Sequence, residues 1–404
     1  CDFRRPQCGP CSRSKDFQDC EYAQSGRTRV ELLQEQVALT ASRIAELEKP
    51  SGSQLKLYDP YPGNSRSISQ PAEPQNLRSV DNFLNHGSQF GFFLHVQTFR
   101  DATVVRRGPR PPAVLLDAVH LWAIHLSGSD RFTVLEARYL SQALRAATEA
   151  FAGPQAVLYR VQAAILLAQY FFHNMRFLEG KYHLSAAVSL VLSAGLHRST
   201  AVGRQQVPML RVPPPLNATE EPERTRAFWT VLTMNNCWTT ADGSPSNISY
   251  WAADTLIDVP WPVDIDMPGG IIVRRFMFTC HIGTVTAFLE GQTDNGTSVA
   301  ALHAKAAILF ERAAHLSAQY RPNMPRQQLS DFMRSFTTMD VLIEEFGRSL
   351  PAVGSDSTMT RTGLVTRCLV RVATIQLHNP FMYDTRTTAA ARILAAARAV
   401  VADL

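Results

Sequence analysis

Residues 177–195 read FLEGKYHLSAAVSLVLSAG, and this stretch decides the fold class. Apolar and small positions recur three and four apart, with Leu178, Tyr182, Ala186, Ser189 or Leu190, and Ser193 tracing one face of a helix. Gly195 follows the last periodic residue, where a left-handed residue closes a helix at no steric cost. A strand would instead alternate polar and apolar residues, and this segment does not.

The same period extends outward in both directions. It predicts helices over Ala113–Ser127, Val134–Ala152, Gln155–His173, Phe177–Ala194, Glu223–Thr240 and Ile272–Glu290. It predicts four more over Val299–Tyr320, Gln328–Phe346, Thr362–Leu377 and Arg386–Ala402. Ile271-Ile272-Val273 is the one short β-branched run of note, and the Pro-rich Val207–Pro222 reads as an exposed loop. No 34-residue self-similarity marks a helical repeat. The body is predicted to be all-α.

The 404-residue chain is 45% hydrophobic and 19% charged, with a net charge of +5. These values exclude collagen, a coiled-coil rod and wholesale disorder. No apolar stretch approaches the roughly 18–20 residues of a membrane span. The first residues, Cys1-Asp2-Phe3-Arg4-Arg5, carry no secretory pattern.

Upstream of the helical body the composition changes twice. Residues 49–82 read as a Pro- and Ser-rich linker, too poor in apolar side chains to offset the entropy of ordering, with the helical domain taken as 83–404. Residues 27–48 read as one polar helix in which Val30, Leu33, Val37, Thr40, Ile44 and Leu47 keep an unbroken a/d pattern. β-branched residues at a with Leu at two of three d positions suit two parallel strands, although Thr40 weakens one layer. A helix of three heptads dimerises weakly by itself. The alternative is a solitary amphipathic helix packed on the body.

Residues 1–23 hold four of the seven cysteines, Cys1, Cys8, Cys11 and Cys20, spaced C-x6-C-x2-C-x8-C. Disulfides would need an oxidising compartment, for which no signal is read. Zinc is the favoured ligand, because a two-residue gap such as Cys8 to Cys11 lets two thiolates reach one tetrahedral ion. Cys237, Cys280 and Cys368 are dispersed and read as small buried hydrophobes. His173, His183 and His197 show no metal-ligand spacing, and no nucleophile–base motif or dinucleotide fingerprint is found, so an enzyme is not expected.

The cysteine segment resembles the second part of the fungal binuclear zinc-cluster DNA-binding domain. Cys1, Cys8, Cys11 and Cys20 match that family's third to sixth cysteines, and Pro6 its loop proline. The resemblance implies two zinc ions in a complete cluster, a coiled coil after the last cysteine, DNA as ligand and a homodimer. The family's first two cysteines and its basic loop have no counterpart here. Residues 1–49 hold eight Lys/Arg against eight Asp/Glu, where a DNA-binding module is expected to be basic. Specific DNA binding is therefore not expected of the chain as it stands, and its start within the motif reads as a truncation.

Two further stretches carry a second resemblance. They are Leu166–Tyr170 with Arg176–Ala187 and Gly195–Arg198, and Glu223–Trp229 with Asn235–Trp238 and Gly243–Pro245. Both are similar to the fungal-specific transcription factor domain, the all-helical regulatory region found with these clusters, and the similarity is read from about Phe90 to Leu404. That family often has an Asp-Arg pair where Asn235-Asn236 stand. The implied function is zinc-dependent, sequence-specific control of RNA polymerase II transcription in the nucleus, with coregulators or a small effector as further partners. The alternative is a helical regulatory or ligand-sensing protein without DNA binding.

Overall fold

The computed structural model describes residues 8–13, 34–42, 73–105, 107, 110–128, 133–148, 156–199, 210, 212–215, 219–250, 256–263, 283–351, 361–384 and 387–403. The chain divides into two compact units, Cys1–Asn64 and Ser65–Leu404. In the first, α1 spans Gly9–Arg13 and α2 spans residues 34–42. Every described residue of α2 is exposed, Val37 to 67%.

The second unit is helical throughout its described residues, with no strand among them. It opens with α3 (Glu73–His86) and the short α4 (Val96–Arg100), neither of which periodicity had predicted. The helix α3 corrects the linker boundary at residue 82. Prolines at 71 and 74 marked this stretch as linker, yet Pro74 falls in the first helical turn, where a missing N–H costs nothing. Val80, Phe83 and Leu84 then pack into the core.

Next come α5 (Ala113–His125), α6 (Thr133–Thr148), α7 (Ala156–His173) and α8 (Phe177–Ser193). α9 (Glu220–Asp242) follows, then the short α10 (Thr284–Leu289), α11 (Val299–Gln319) and α12 (Arg326–Ser349). α13 (Arg361–His378) and α14 (Ala389–Asp403) complete the described helices. The predicted ends agree to within a few residues for most of them. α9 starts earlier than predicted, at Glu220. Its first turn holds Glu220, Glu221 and Glu223 around Pro222, and acidic side chains and proline both favour a helix N-terminus. Of the helix predicted over Ile272–Glu290, only Thr284–Leu289 is described, and Ile271–Val273 lies outside the described residues.

α5 packs on α6 and α7, α7 on α8, and α9 on α7, α8 and α11. α11 in turn packs on α13, which also carries α12 and α14. α5 and α7 are buried around most of their circumference, including Leu115, Leu121, Trp122, Ile165, Leu166 and Phe171. The Trp122 indole still satisfies its N–H, which donates to the Leu166 carbonyl at 2.8 Å. At the far end, Asp340 on α12 accepts from Arg392 on α14 at 2.7 Å and pairs with His378 on α13 at 3.0 Å.

Gly195 closes α8 as predicted. It adopts φ 68°, the Gly195 N–H donates to Leu192 O, and the Leu196 N–H donates to Val191 O, both at 3.0 Å. This six-to-one and five-to-two pairing satisfies the last carbonyls of the helix. The face traced on α8, however, is the outer one. Leu178 is 80% exposed and Tyr182 70%, while Gly180, His183, Leu184, Ala187, Val188 and Val191 are buried. Gly180 and Ala187 let α8 approach its neighbours closely, and Leu184, Val188 and Val191 fill the core beside them.

Candidate functional site

The N-terminal cysteines come first. Cys8 is buried and immediately precedes α1, and Cys11 is the third residue of that helix. Cys1 and Cys20 lie outside the described residues, as does the thiol of Cys11. Among the described residues no group of three or more His, Cys, Asp or Glu is placed to hold a metal. Of the heptad positions, Val37 and Thr40 fall within α2 and are exposed; Val30, Leu33, Ile44 and Leu47 lie outside the described residues.

In the helical unit the structure assembles a polar network that the sequence left unmarked beyond Asn235 and Asn236. Both asparagines sit in the middle of α9 and are fully buried. α9 ends at Gly243, in the left-handed region at φ 73°, and the chain then turns back through Ser246, Asn247 and Tyr250. Asn235 donates to Ser246 Oγ at 2.9 Å and accepts from Asn247 Nδ2 at 3.0 Å. Asn236 donates to the Tyr250 hydroxyl at 2.7 Å, and that hydroxyl donates to Glu311 Oε2 on α11 at 2.9 Å. The loop is tied down further by Ser246 Oγ, which donates to Ile248 O at 3.0 Å.

This network joins α9, the 243–250 segment and α11 through buried polar bonds, each of which would leave a costly orphan if its partner were removed. The two asparagines supply no charge. The carboxyl comes instead from Glu311, whose pKa is raised by burial, against the opposing effects of the Tyr250 bond, Arg312 and His315. Burial and the neighbouring Glu311 push the Tyr250 hydroxyl well above its ordinary range. Such a site positions helices; its groups are sealed from solvent and bonded to one another.

A second junction lies beside it. Trp229 on α9 stacks on Trp261 with ring centroids 4.4 Å apart, and its N–H donates to Pro260 O at 2.7 Å. Phe228 and Trp229 are thus core packing. Lys181 on α8 pairs with Asp242 at the end of α9.

The three histidines around α8 occupy separate environments. His183 stacks on Phe171 at 5.4 Å, and burial pulls it down to about 4. His197 is buried after α8 and also falls to about 4, while His173 is exposed at the end of α7. Burial pushes the Cys237 thiol up to about 12, as befits a small apolar residue, and raises that of the half-buried Cys368. Cys280 lies outside the described residues. No described helix is long and apolar enough to cross a membrane.

Comparison with known families matches residues 81–268 to the fungal specific transcription factor domain. The match runs from within α3 past the end of α9, so it includes Asn235, Asn236 and Tyr250 but stops short of Glu311. The resemblance read from Phe90 to Leu404 is therefore matched over its first part. Neither the curated proteins nor the solved structures contain a match to this chain.

Proposed function

We propose that this chain is a regulator of transcription in the fungal nucleus, built from a helical regulatory domain behind a zinc-cluster segment. The match over 81–268 carries the proposal, since domains of this family occur in fungal transcription regulators. The spacing of Cys1, Cys8, Cys11 and Cys20 upstream of it supports zinc and DNA as partners. In a complete cluster these four thiolates would hold zinc together with two further cysteines, and the ions would fix the fold of the segment. The exposed Val37 and Thr40 on α2 are compatible with pairing to a second copy through the a/d positions.

The test is a chain carrying a C-x2-C half with basic residues ahead of Cys1. It should release about two zinc ions to a chelator and shift duplexes bearing CGG half-sites in a zinc-dependent manner. Zinc-independent behaviour, or no shift at low salt, would overturn the DNA-binding reading.

A second reading rests on the balanced charge of residues 1–49, eight basic against eight acidic. In it the helical body senses a ligand or coregulator without DNA contact. Thermal shifts with small metabolites and capture of nuclear coregulators would support it, and silence in both would count against it.

A further inference from the structure

We propose that His125 and His173 form an open, two-nitrogen site for a divalent metal ion of the zinc class. The two residues are the last of α5 and α7, so the fold, not local spacing, brings them together. Their ring centroids are 5.0 Å apart with planes at 89°. Two imidazoles on one tetrahedral ion, with metal–nitrogen bonds of about 2.0–2.1 Å, have centroids about 5 Å apart.

The surroundings point the same way. His125 Nδ1 lies 2.7 Å from Glu136 Oε1, and the Tyr170 hydroxyl donates to that same oxygen at 2.7 Å. A carboxylate so held takes the imidazole N–H and leaves Nε2 as the lone-pair nitrogen, the arrangement that orients metal-binding histidines. Trp122 and Tyr170 pack against the His125 ring edge to face, at 5.6 and 5.3 Å, and restrict its rotation. Arg361, the first residue of α13, lies near His173. Both residues end helices, where the carbonyl dipoles favour a cation. An ion can enter, because the His125 side chain is 19% exposed and His173 is exposed. Arg361 is the opposing charge. With two protein nitrogens the remaining positions fall to water, so binding is expected in the micromolar range.

The probe is Zn2+ alone, added to the full chain and followed by equilibrium dialysis and by thermal unfolding. Wild type should bind one more zinc per chain than His173→Ala, and zinc should raise its midpoint but not that of the variant. Zinc on the N-terminal cysteines is common to both and cancels, so this outcome is independent of the proposed function. Glu136→Gln should weaken the site about 10–100-fold without abolishing it. With Co2+, the difference spectrum between wild type and His173→Ala should show ligand-field bands without sulfur charge transfer. Because His173 is exposed, its variant retains the fold. Equal zinc stoichiometry and equal midpoint shifts in the two proteins would overturn the proposal.

Discussion

Gly180 on α8 faces the Phe172 ring on α7 so closely that a β-carbon at position 180 would stand 2.5 Å from it. Phe172 cannot simply swing away, because its other side stacks on Trp238 of α9 at 3.8 Å. One absent methyl group therefore sets how closely three helices approach. Gly180→Ala should destabilise the domain by about 1–3 kcal/mol through overpacking, despite alanine's better helix propensity. Denaturant unfolding checks this. Phe172→Leu in the same chain should recover part of the loss, so that the two substitutions are not additive.

The buried network yields a second prediction. Tyr250→Phe keeps the ring but removes the hydroxyl that accepts from Asn236 and donates to Glu311. Two buried polar groups then lose a partner, and the cost should be about 1–3 kcal/mol. Glu311→Gln should cost less near neutral pH, and its sign with pH is fixed by linkage. A carboxyl whose folded pKa is raised stabilises below its unfolded value and loses that contribution as pH rises through the folded one. Wild type should therefore lose ground to Glu311→Gln as pH rises above the ordinary glutamate range. A difference that stays constant with pH would show that Glu311 binds its proton equally well folded and unfolded, and would refute the upward shift.

Four histidines set the acid limit of the fold. Burial lowers His120, His183, His197 and His303 from 6.5 to about 4 each. A group with a depressed folded pKa binds its proton more readily when unfolded, so stability is lost as pH falls from about 6.5 to about 4. Asp117, raised to about 6 by burial, and Glu223 and Glu311, also raised by burial, oppose this over part of the range but are three groups against four. Urea unfolding between pH 4 and 7 should show stability climbing with pH. His303→Gln should flatten the climb by up to one proton, and a flat wild-type profile would refute the assignment.

How much of this was legible beforehand depended on distance along the chain. The helix period and the Gly195 stop are local properties, and they placed α5 to α9 and α11 to α14 to within a few residues. Which face of α8 turns inward is a question about its neighbours, which the helix period alone does not answer. Leu178 and Tyr182 trace one face, and the structure turns that face to solvent while Gly180 and Ala187 are buried. α3 was missed because the prolines ahead of and within its first turn read as linker. The network was half visible: Asn235-Asn236 stood out, but Tyr250 and Glu311, 61 residues apart, meet only through the tertiary fold. The spacing of Cys8 and Cys11 is a local property of the chain, so it could be read without any tertiary contact.

The turn between α7 and α8 offers a stabilising change. Met175 is the one described non-glycine residue with positive φ, at 59°. It caps α7, donating to Phe172 O at 3.1 Å while Arg176 donates to Phe171 O at 2.8 Å. That position ordinarily belongs to glycine, and a side chain there costs about 1 kcal/mol. Met175 is 74% exposed, so little packing is lost on its removal. Met175→Gly should therefore stabilise by a few tenths to about 1 kcal/mol, despite glycine's greater freedom when unfolded. Calorimetry would read a raised midpoint.

A final prediction concerns the lysine clasp beside the tryptophan stack. Lys305 on α11 is buried, donating to Asp294 Oδ1 at 2.5 Å and to Gly296 O at 2.9 Å. Its ammonium also lies over the Trp261 ring, 5.0 Å from the centroid, and the Trp261 N–H donates to the other oxygen of Asp294 at 3.0 Å. Asp294 thus holds a cation and an indole at once, and through Trp261 it supports the stack on Trp229. Removing one partner of a fully buried ion pair costs about 3–5 kcal/mol. The Asp294 side chain is 22% exposed, so Asp294→Ala should fall at or somewhat below the lower end of that range. Lys305→Met, which keeps the apolar stem packed, should cost less, because the aspartate left behind can still reach water. Tryptophan fluorescence separates these outcomes from general loosening. Asp294→Ala should shift the emission of the Trp229–Trp261 pair before global unfolding, whereas Lys305→Met should leave it nearly unchanged. Equal spectral shifts in both variants would mean that the lysine, and not the aspartate, holds the indole in place.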